Sequence, residues 1–352
     1  MPVLSGGSPA ASPARRTGPA AGPVLRLGVL GCAEFARRRM LPAMAAHHAV
    51  ELCAVASRSA GRAAATAAPY GARPVTGYAQ LLADPLLDAV YVPLPAALHA
   101  EWVGAALDAG KHVLAEKPLT TDPARTRALL ERARALGLVL RENTMFVHHG
   151  QHAAVRRLLA DGAIGEPRAL HAAFTVPAPP EGDIRYDPEL GGGCLADIGL
   201  YPVRAAVHLL GTELDVAGAV LSAAPGRRVE TSGAALLRRA DGVSAQLTFG
   251  MEHAYRSRYE VWGSEGRITV DRAFTPAADH RPELLVERAS GTETVTLPAE
   301  DQAAASLTAF TAAVHGRPGG GDEAGLLAQA DLLAQADLLA RIRRTAVWGA
   351  GR

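Results

Sequence analysis

The sequence predicts an α/β protein. A doubly wound parallel sheet of the Rossmann type comes first, followed by an α/β domain with a large, mostly antiparallel open sheet. Three observations predict it. From Leu25 to about residue 145, short apolar runs alternate with helix-length segments, as in buried parallel strands joined by right-handed helical crossovers. The first run ends in a small-residue turn at Gly31, where a dinucleotide fold makes its tightest bend. Beyond residue 145 the chain changes to short period-two runs separated by turns such as Asp241-Gly242, the pattern of antiparallel pairing.

Residues 1–24 are mostly Pro, Ala, Gly and Ser, too poor in apolar surface to fold, so a disordered tail is expected. Arg15-Arg16 is followed by Thr17-Gly18-Pro19 rather than by the apolar stretch of an export signal. The first domain, 25–145, takes strands at 25–30, 50–56, 89–92, 113–115 and 138–140. Its helices lie near 35–46, 61–68, 98–109 and 123–135, the last opened by Asp122 as cap and Pro123 at the first helical position. The second domain, 146–345, begins with a helix at 152–160, a strand at 168–176, a bend at Gly191-Gly192-Gly193 and a helix at 195–210. Strands are then expected at 217–222, 232–238, 243–250, 257–262, 267–270, 284–287 and 292–297. The six-residue repeat at 326–331 and 332–337 drifts around a 3.6-residue helix, so it reads as an Ala/Leu-rich packing helix and not as a coiled-coil seam.

At 352 residues the chain is too long for one core. Hydrophobic residues at 49% and charged residues at 20% place it among globular proteins, and no run approaches the ~20 apolar residues of a membrane span. A net charge of +1 gives no reason to expect nucleic acid or an anionic membrane as partner. Cys32, Cys53 and Cys194 form no CxxC pair, which suits a reducing compartment and a cytoplasmic protein. Only two lysines occur, Lys111 and Lys117, so each is informative.

The motifs follow the strands. Gly31, Ala33 and Ala36 take the three small positions of a G-x-G-x-x-G turn, making Gly31, Cys32, Ala33, Glu34, Phe35 and Ala36 candidate pyrophosphate contacts at a helix start. The second strand ends in Ser57-Arg58, without the acid that binds a ribose 2′-hydroxyl; both residues suit a 2′-phosphate, which points to NADP. Leu94 and His99 follow the fourth strand, and Glu116-Lys117-Pro118 the fifth, at the carboxyl ends where ligands bind in such sheets. Lys117 there offers a charge and a proton to a reacting oxygen. Asp197 and Tyr201, four apart on the helix after the triple glycine, share a face and form with Lys117 an acid–base set suited to a ketone; alone they would read as a cap and a core residue. Arg185 either reaches a phosphate or the nicotinamide carboxamide, or lies solvated. His149 and His152 are three apart but lack a completing carboxylate or thiolate, so they read as pocket or helix-start residues and no metal is expected.

Together these segments resemble the glucose-fructose oxidoreductase/inositol dehydrogenase (Gfo/Idh/MocA) family, from Leu25 to about Arg344. The resemblance implies that Lys117 contacts nicotinamide and substrate and that Asp197 orders the site. Many members carry His where this chain has Tyr201. Tyrosine there is similar to two subgroups, nucleotide-sugar 3-ketoreductases of deoxysugar biosynthesis and dihydrodiol/D-xylose dehydrogenases. Segments 142–152, 183–186, 249–256 and 271–276 look more like the ketoreductases. The implied activity is reduction of the C3 keto group of a dTDP-linked keto-deoxysugar, with Lys117 first choice as proton donor and Tyr201 second. An NADP-dependent dehydrogenase of a free sugar or cyclic diol is the alternative. A cofactor-binding regulator without turnover is a third reading, against which stand Lys117 and the Asp197/Tyr201 pair. By the same analogy the protein is expected to form a homo-dimer or tetramer through its large sheet.

Overall fold

The computed structural model describes residues 24–316 and 322–349. The expected tail therefore lies, but for Val24, outside the described residues. The first sheet holds β1 (Leu25–Leu30), β2 (Val50–Ser57), β3 (Arg73–Thr76), β4 (Ala89–Val92), β5 (His112–Ala115) and β6 (Leu140–Glu142). All pairings are parallel and the order is β3-β2-β1-β4-β5-β6. The chain winds outward from β1 to β3, then returns to β4 beside β1. That reversal opens a crevice at the carboxyl ends of β1 and β4. Alternate strand residues feed two cores, Leu30, Ala54 and Val90 on one face and Leu27, Val29 and Tyr91 on the other.

The second sheet has nine strands in the order β14-β13-β12-β11-β7-β10-β9-β8-β15. They are β7 (Pro167–Thr175), β8 (Asp215–Ser222), β9 (Ser232–Arg238), β10 (Ser244–Gly250), β11 (Arg256–Gly263), β12 (Gly266–Asp271), β13 (Glu283–Arg288), β14 (Gly291–Thr296) and β15 (Val347–Gly349). Only β7–β10 and β8–β15 pair in parallel. One face packs on helix α7 (Leu200–Leu210), where Phe174, Leu247 and Phe249 meet Val203, Ala206 and Val207. The opposite face keeps Val220, Leu236 and Trp262 exposed, with His171 stacked on Trp262 at 4.3 Å.

Several elements differ from expectation. Pro74 disfavours a central strand, and β3 tolerates it as an edge. The last strand of the first sheet starts at Leu140, not 138, because Gly137 (φ 67°) and the Leu138 N–H close the preceding helix α5 (Pro123–Ala135). The helices expected at 35–46 and 195–210 both open with a π turn, Ala36–Met40 and Leu195–Gly199. Such turns recur where a helix must aim side chains at a site.

Helix α8 (Gln302–Val314), unexpected from the pattern, returns to the first sheet: Leu307 and Phe310 join Leu27, Met40 and Tyr91. Helix α9 (Asp322–Thr345) carries the repeat and spans both regions. Its Leu332 enters a core of the first sheet, while Leu338 and Ile342 enter that of the second. Burial of each such side chain contributes roughly 1.5–3 kcal/mol. Among the described residues no helix is long and apolar enough to cross a membrane.

Candidate active site

The crevice begins at Gly31, whose φ of 124° is closed to ordinary side chains and whose N–H donates to Ala56 O at 2.9 Å. A Cβ there would stand 3.0 Å from Leu94 Cδ2, so Leu94 forms the wall opposite the turn. Cys32, Ala33, Glu34 and Phe35 follow along the rim, only partly buried or exposed, before the buried Ala36. At the end of β2, Arg58 is exposed, whereas Ser57 is buried with its Oγ accepting the Ser59 N–H at 3.2 Å. Ser59 caps helix α2 (Ala60–Ala67), placing Arg62 on the same rim. An open glycine turn, no acid at the end of β2 and exposed arginines fit a dinucleotide with a 2′-phosphate.

At the far end of the crevice Lys117 projects from the loop after β5, across a cis bond to Pro118. Its Nζ donates to Asp197 O at 2.9 Å and to Asp197 Oδ1 at 2.5 Å. The other carboxylate oxygen, Oδ2, accepts from Arg185 Nε at 2.7 Å, and Arg185 is itself held by Asp183. Burial alone would raise the Asp197 carboxyl, but Lys117 and then Arg185 outweigh it and hold it at about 2. Burial pulls the Lys117 ammonium down, yet Asp197, then Tyr201 and Glu116, drive it well above its ordinary value. Lys117 Nζ lies 5.2 Å from the centre of the Tyr201 ring, which packs among Phe146, Phe174 and Phe274. Burial raises the Tyr201 phenol, with Lys117 opposing. No described residue hydrogen-bonds its hydroxyl, which leaves that proton for a ligand.

The triple glycine explains how Arg185 reaches Asp197. Gly192 and Gly193 donate to Asp187 O and Arg185 O, both at 2.9 Å, folding the 185–187 backbone onto the helix start. A Cβ on Gly192 would meet Arg185 O at 2.5 Å, so only glycine permits this approach.

The structure brings Lys117, Asp197, Tyr201 and Arg185 together. It places two expected cofactor contacts in supporting positions. His99 is buried, with Nδ1 at 2.8 Å from Pro118 O and Nε2 at 2.7 Å from Leu94 O, so it straps two crevice loops together. The Glu116 carboxylate accepts from Tyr91 Oη and Asn143 Nδ2, each at 2.6 Å. Burial raises its pKa against those donors. Asn143 Oδ1 in turn accepts from Ser306 of α8 at 2.7 Å.

Sequence reasoning missed Tyr91, Asn143, Asp183 and Glu230. Fully buried, Glu230 accepts from Leu195 N at 3.1 Å and from Arg343, anchoring the turn that carries Asp197. A polar residue inside the apolar run 89–92 was the one available signal, at Tyr91. His149 caps helix α6 (Gly150–Ala160), accepting from Gln151 N, and His152 bonds Tyr259 Oη at 2.8 Å inside the core. Among the described residues no three His, Cys, Asp or Glu side chains converge on a metal position.

Comparison with known proteins agrees with this fold. Residues 25–144 match the model of an oxidoreductase family with an NAD-binding Rossmann fold, and residues 152–269 match a GFO/IDH/MocA C-terminal domain. The chain is 54% identical over 316 residues to the dTDP-3,4-didehydro-2,6-dideoxy-alpha-D-glucose 3-reductase of Streptomyces violaceoruber, covering 87% of this chain and 92% of that one. It is 52% identical over 290 residues to the Actinomadura kijaniata enzyme of the same name, covering 82% and 87%. A crystal structure of a 3-ketoreductase from Actinomadura kijaniata, in complex with NADP and TDP-benzene, superposes with a TM-score of 0.88 at 49% identity, over 93% of this chain and 100% of that one.

Proposed function

The chain belongs to the GFO/IDH/MocA oxidoreductase family, and on that premise we propose that it is an NADP-dependent 3-ketoreductase acting on a dTDP-linked keto-deoxysugar. The observation that carries the reading is Lys117, clamped by Asp197 and facing the ring of Tyr201 at the crevice end, in a chain more than half identical to two such reductases. Residues 25–145 hold the cofactor and residues 146–345 the sugar.

NADPH, when bound, supplies the hydride. The Gly31 turn and residues 32–36 would take its pyrophosphate, Arg58, with Ser57, its 2′-phosphate, and Leu94 and the Glu116-Lys117 loop its nicotinamide end. Hydride arriving at C3 leaves negative charge on the carbonyl oxygen. The Lys117 ammonium stabilises that charge in place. Tyr201 gives the proton. Lys117 is the weaker candidate for that step: deprotonating it would forfeit its pairing with Asp197, while a tyrosinate beside Lys117 remains compensated. Arg185 and Asp197 keep the cation oriented.

The nucleotide separates this reading from a dehydrogenase of free sugars or cyclic diols. With NADP+ present, dTDP is expected to raise the melting temperature by roughly 3 °C or more at saturating concentration and to inhibit keto-sugar reduction competitively. Neither shift nor inhibition would leave the nucleotide-sugar reading without support.

The exposed face of the second sheet, with Leu236 at 43% and Trp262 at 40% exposure, is the surface by which the protein forms a homo-dimer or tetramer. Light scattering is expected to give at least twice the monomer mass, and Leu236→Glu to reduce it; a monomeric wild type sinks this assignment. Three unpaired cysteines suit the reducing cytoplasm, which subcellular fractionation checks.

A further inference from the structure

Where the edge strand β6 of the first sheet meets α6, α7 and α9, the structure forms a half-open cavity of about 290 Å³ that shares no residue with the Lys117 cluster. Arg141, Arg156 and Arg204 line it, with His148, His208 and Asp331. The Arg204 side chain is only 7% exposed, and its Nε and Nη1 have no hydrogen-bond partner among the described residues. The carboxylate of Asp331 stands 3.6 Å away, beyond hydrogen-bond reach. The buried Nε2 of His208 is likewise unpartnered.

A guanidinium taken out of water with most of its N–H groups unused is costly unless an anion or well-placed water meets them. The other acid on the wall does not meet them. Glu142 already accepts from Leu119 N, Thr144 Oγ1 and Gln335 Nε2, and makes no hydrogen bond to Arg204 among the described residues. The cavity therefore faces three guanidiniums against the carboxylates of Glu142 and Asp331, a net positive wall. Its effect shows on the neighbours. Burial and then the nearby arginines push His148 down to about 4 and His208 to about 3, so at pH 7 both are neutral and able to offer an N–H. Burial also lifts Asp331, making it the weaker counter-ion.

We propose that this cavity is a second ligand site, binding a small oxyanion, a phosphate or carboxylate group, through Arg204, Arg141 and Arg156. Leu140, Val147 and Leu332 complete the wall and leave room for a short carbon skeleton on that group. The site touches both elements that position the acid–base set. Arg204 lies three residues beyond Tyr201 on the same helix, and Glu142 holds the backbone two residues beyond Lys117.

The test is calorimetric titration of the NADP+-loaded protein with inorganic phosphate and, separately, with citrate, at constant ionic strength set by sodium chloride. Saturable binding of at least one probe is expected, and the tighter one identifies the oxyanion class. Arg204→Gln is expected to weaken it tenfold or more, and Arg156→Gln, on an exposed side chain, threefold or more, while the rise in melting temperature caused by NADP+ persists. Should Arg204→Gln fail to fold, Arg141→Gln and Arg156→Gln carry the test. Absence of saturable binding by either probe overturns the proposal. So does binding that Arg141→Gln and Arg156→Gln leave unchanged, because it would place the anion elsewhere.

Discussion

Lys117→Ala is expected to lower kcat for keto-sugar reduction by about a thousandfold, the upper end of what one preorganised charge at a developing oxyanion supplies. The charge is well placed: Asp197 holds Nζ through two hydrogen bonds, so little reorganisation is needed as the alkoxide forms. The KM for NADPH should move much less, because an interaction strengthened only in the transition state shows in kcat and kcat/KM together. Removal also leaves the Asp197 carboxylate with Arg185 alone, and its pKa rises from about 2 toward the ordinary range. Arginine should not restore activity, since a planar guanidinium does not reproduce a compact ammonium. Steady-state kinetics of the purified variant decide it, and a loss below tenfold would remove Lys117 from its assigned role.

Tyr201→Phe is expected to cost about a hundredfold, the lower range for a general acid. Its signature is the pH profile. Burial, with help from Asp197, raises the Tyr201 phenol above its ordinary value, and an acid with a raised pKa keeps its proton to higher pH. Reduction should therefore stay level through neutral pH and fall only above about pH 10. Asp197, held at about 2, stays ionised throughout that range and adds no acidic limb. In Tyr201→Phe the alkaline limb should vanish with the rate. Activity within threefold of wild type, together with an unchanged alkaline limb, would assign the proton to another group.

The parallel sheet and its cofactor turn were readable because burial on both faces writes continuous apolar runs, and the Gly31 turn needs small residues whatever surrounds it. The proposed site residues were readable for a related reason: Lys117 and Asp197 sit at strand and helix ends, where the crevice of such a sheet opens. What escaped is long-range. Pro74 hides an edge strand that only its neighbour β2 makes permissible. The alanine-rich α8 carries no strong pattern until Met40 and Tyr91 supply the surface it covers. The shift of β6 depends on how Gly137 closes the helix before it. Glu230 and Asn143 hold the site through partners 35 and 163 residues away, Leu195 and Ser306, which no local spacing can register.

Helix α9 has a consequence for how the molecule comes into being. Leu332 completes a core whose other members lie within residues 30–140, and α8 does the same on the opposite face through Leu307 and Phe310. Neither half of the first sheet's hydrophobic interior is finished until nearly the whole chain has left the ribosome. The cofactor region is therefore not a cassette that evolution could excise and transplant by cutting near residue 145: a fragment ending there would emerge with two uncovered apolar surfaces and a propensity to aggregate.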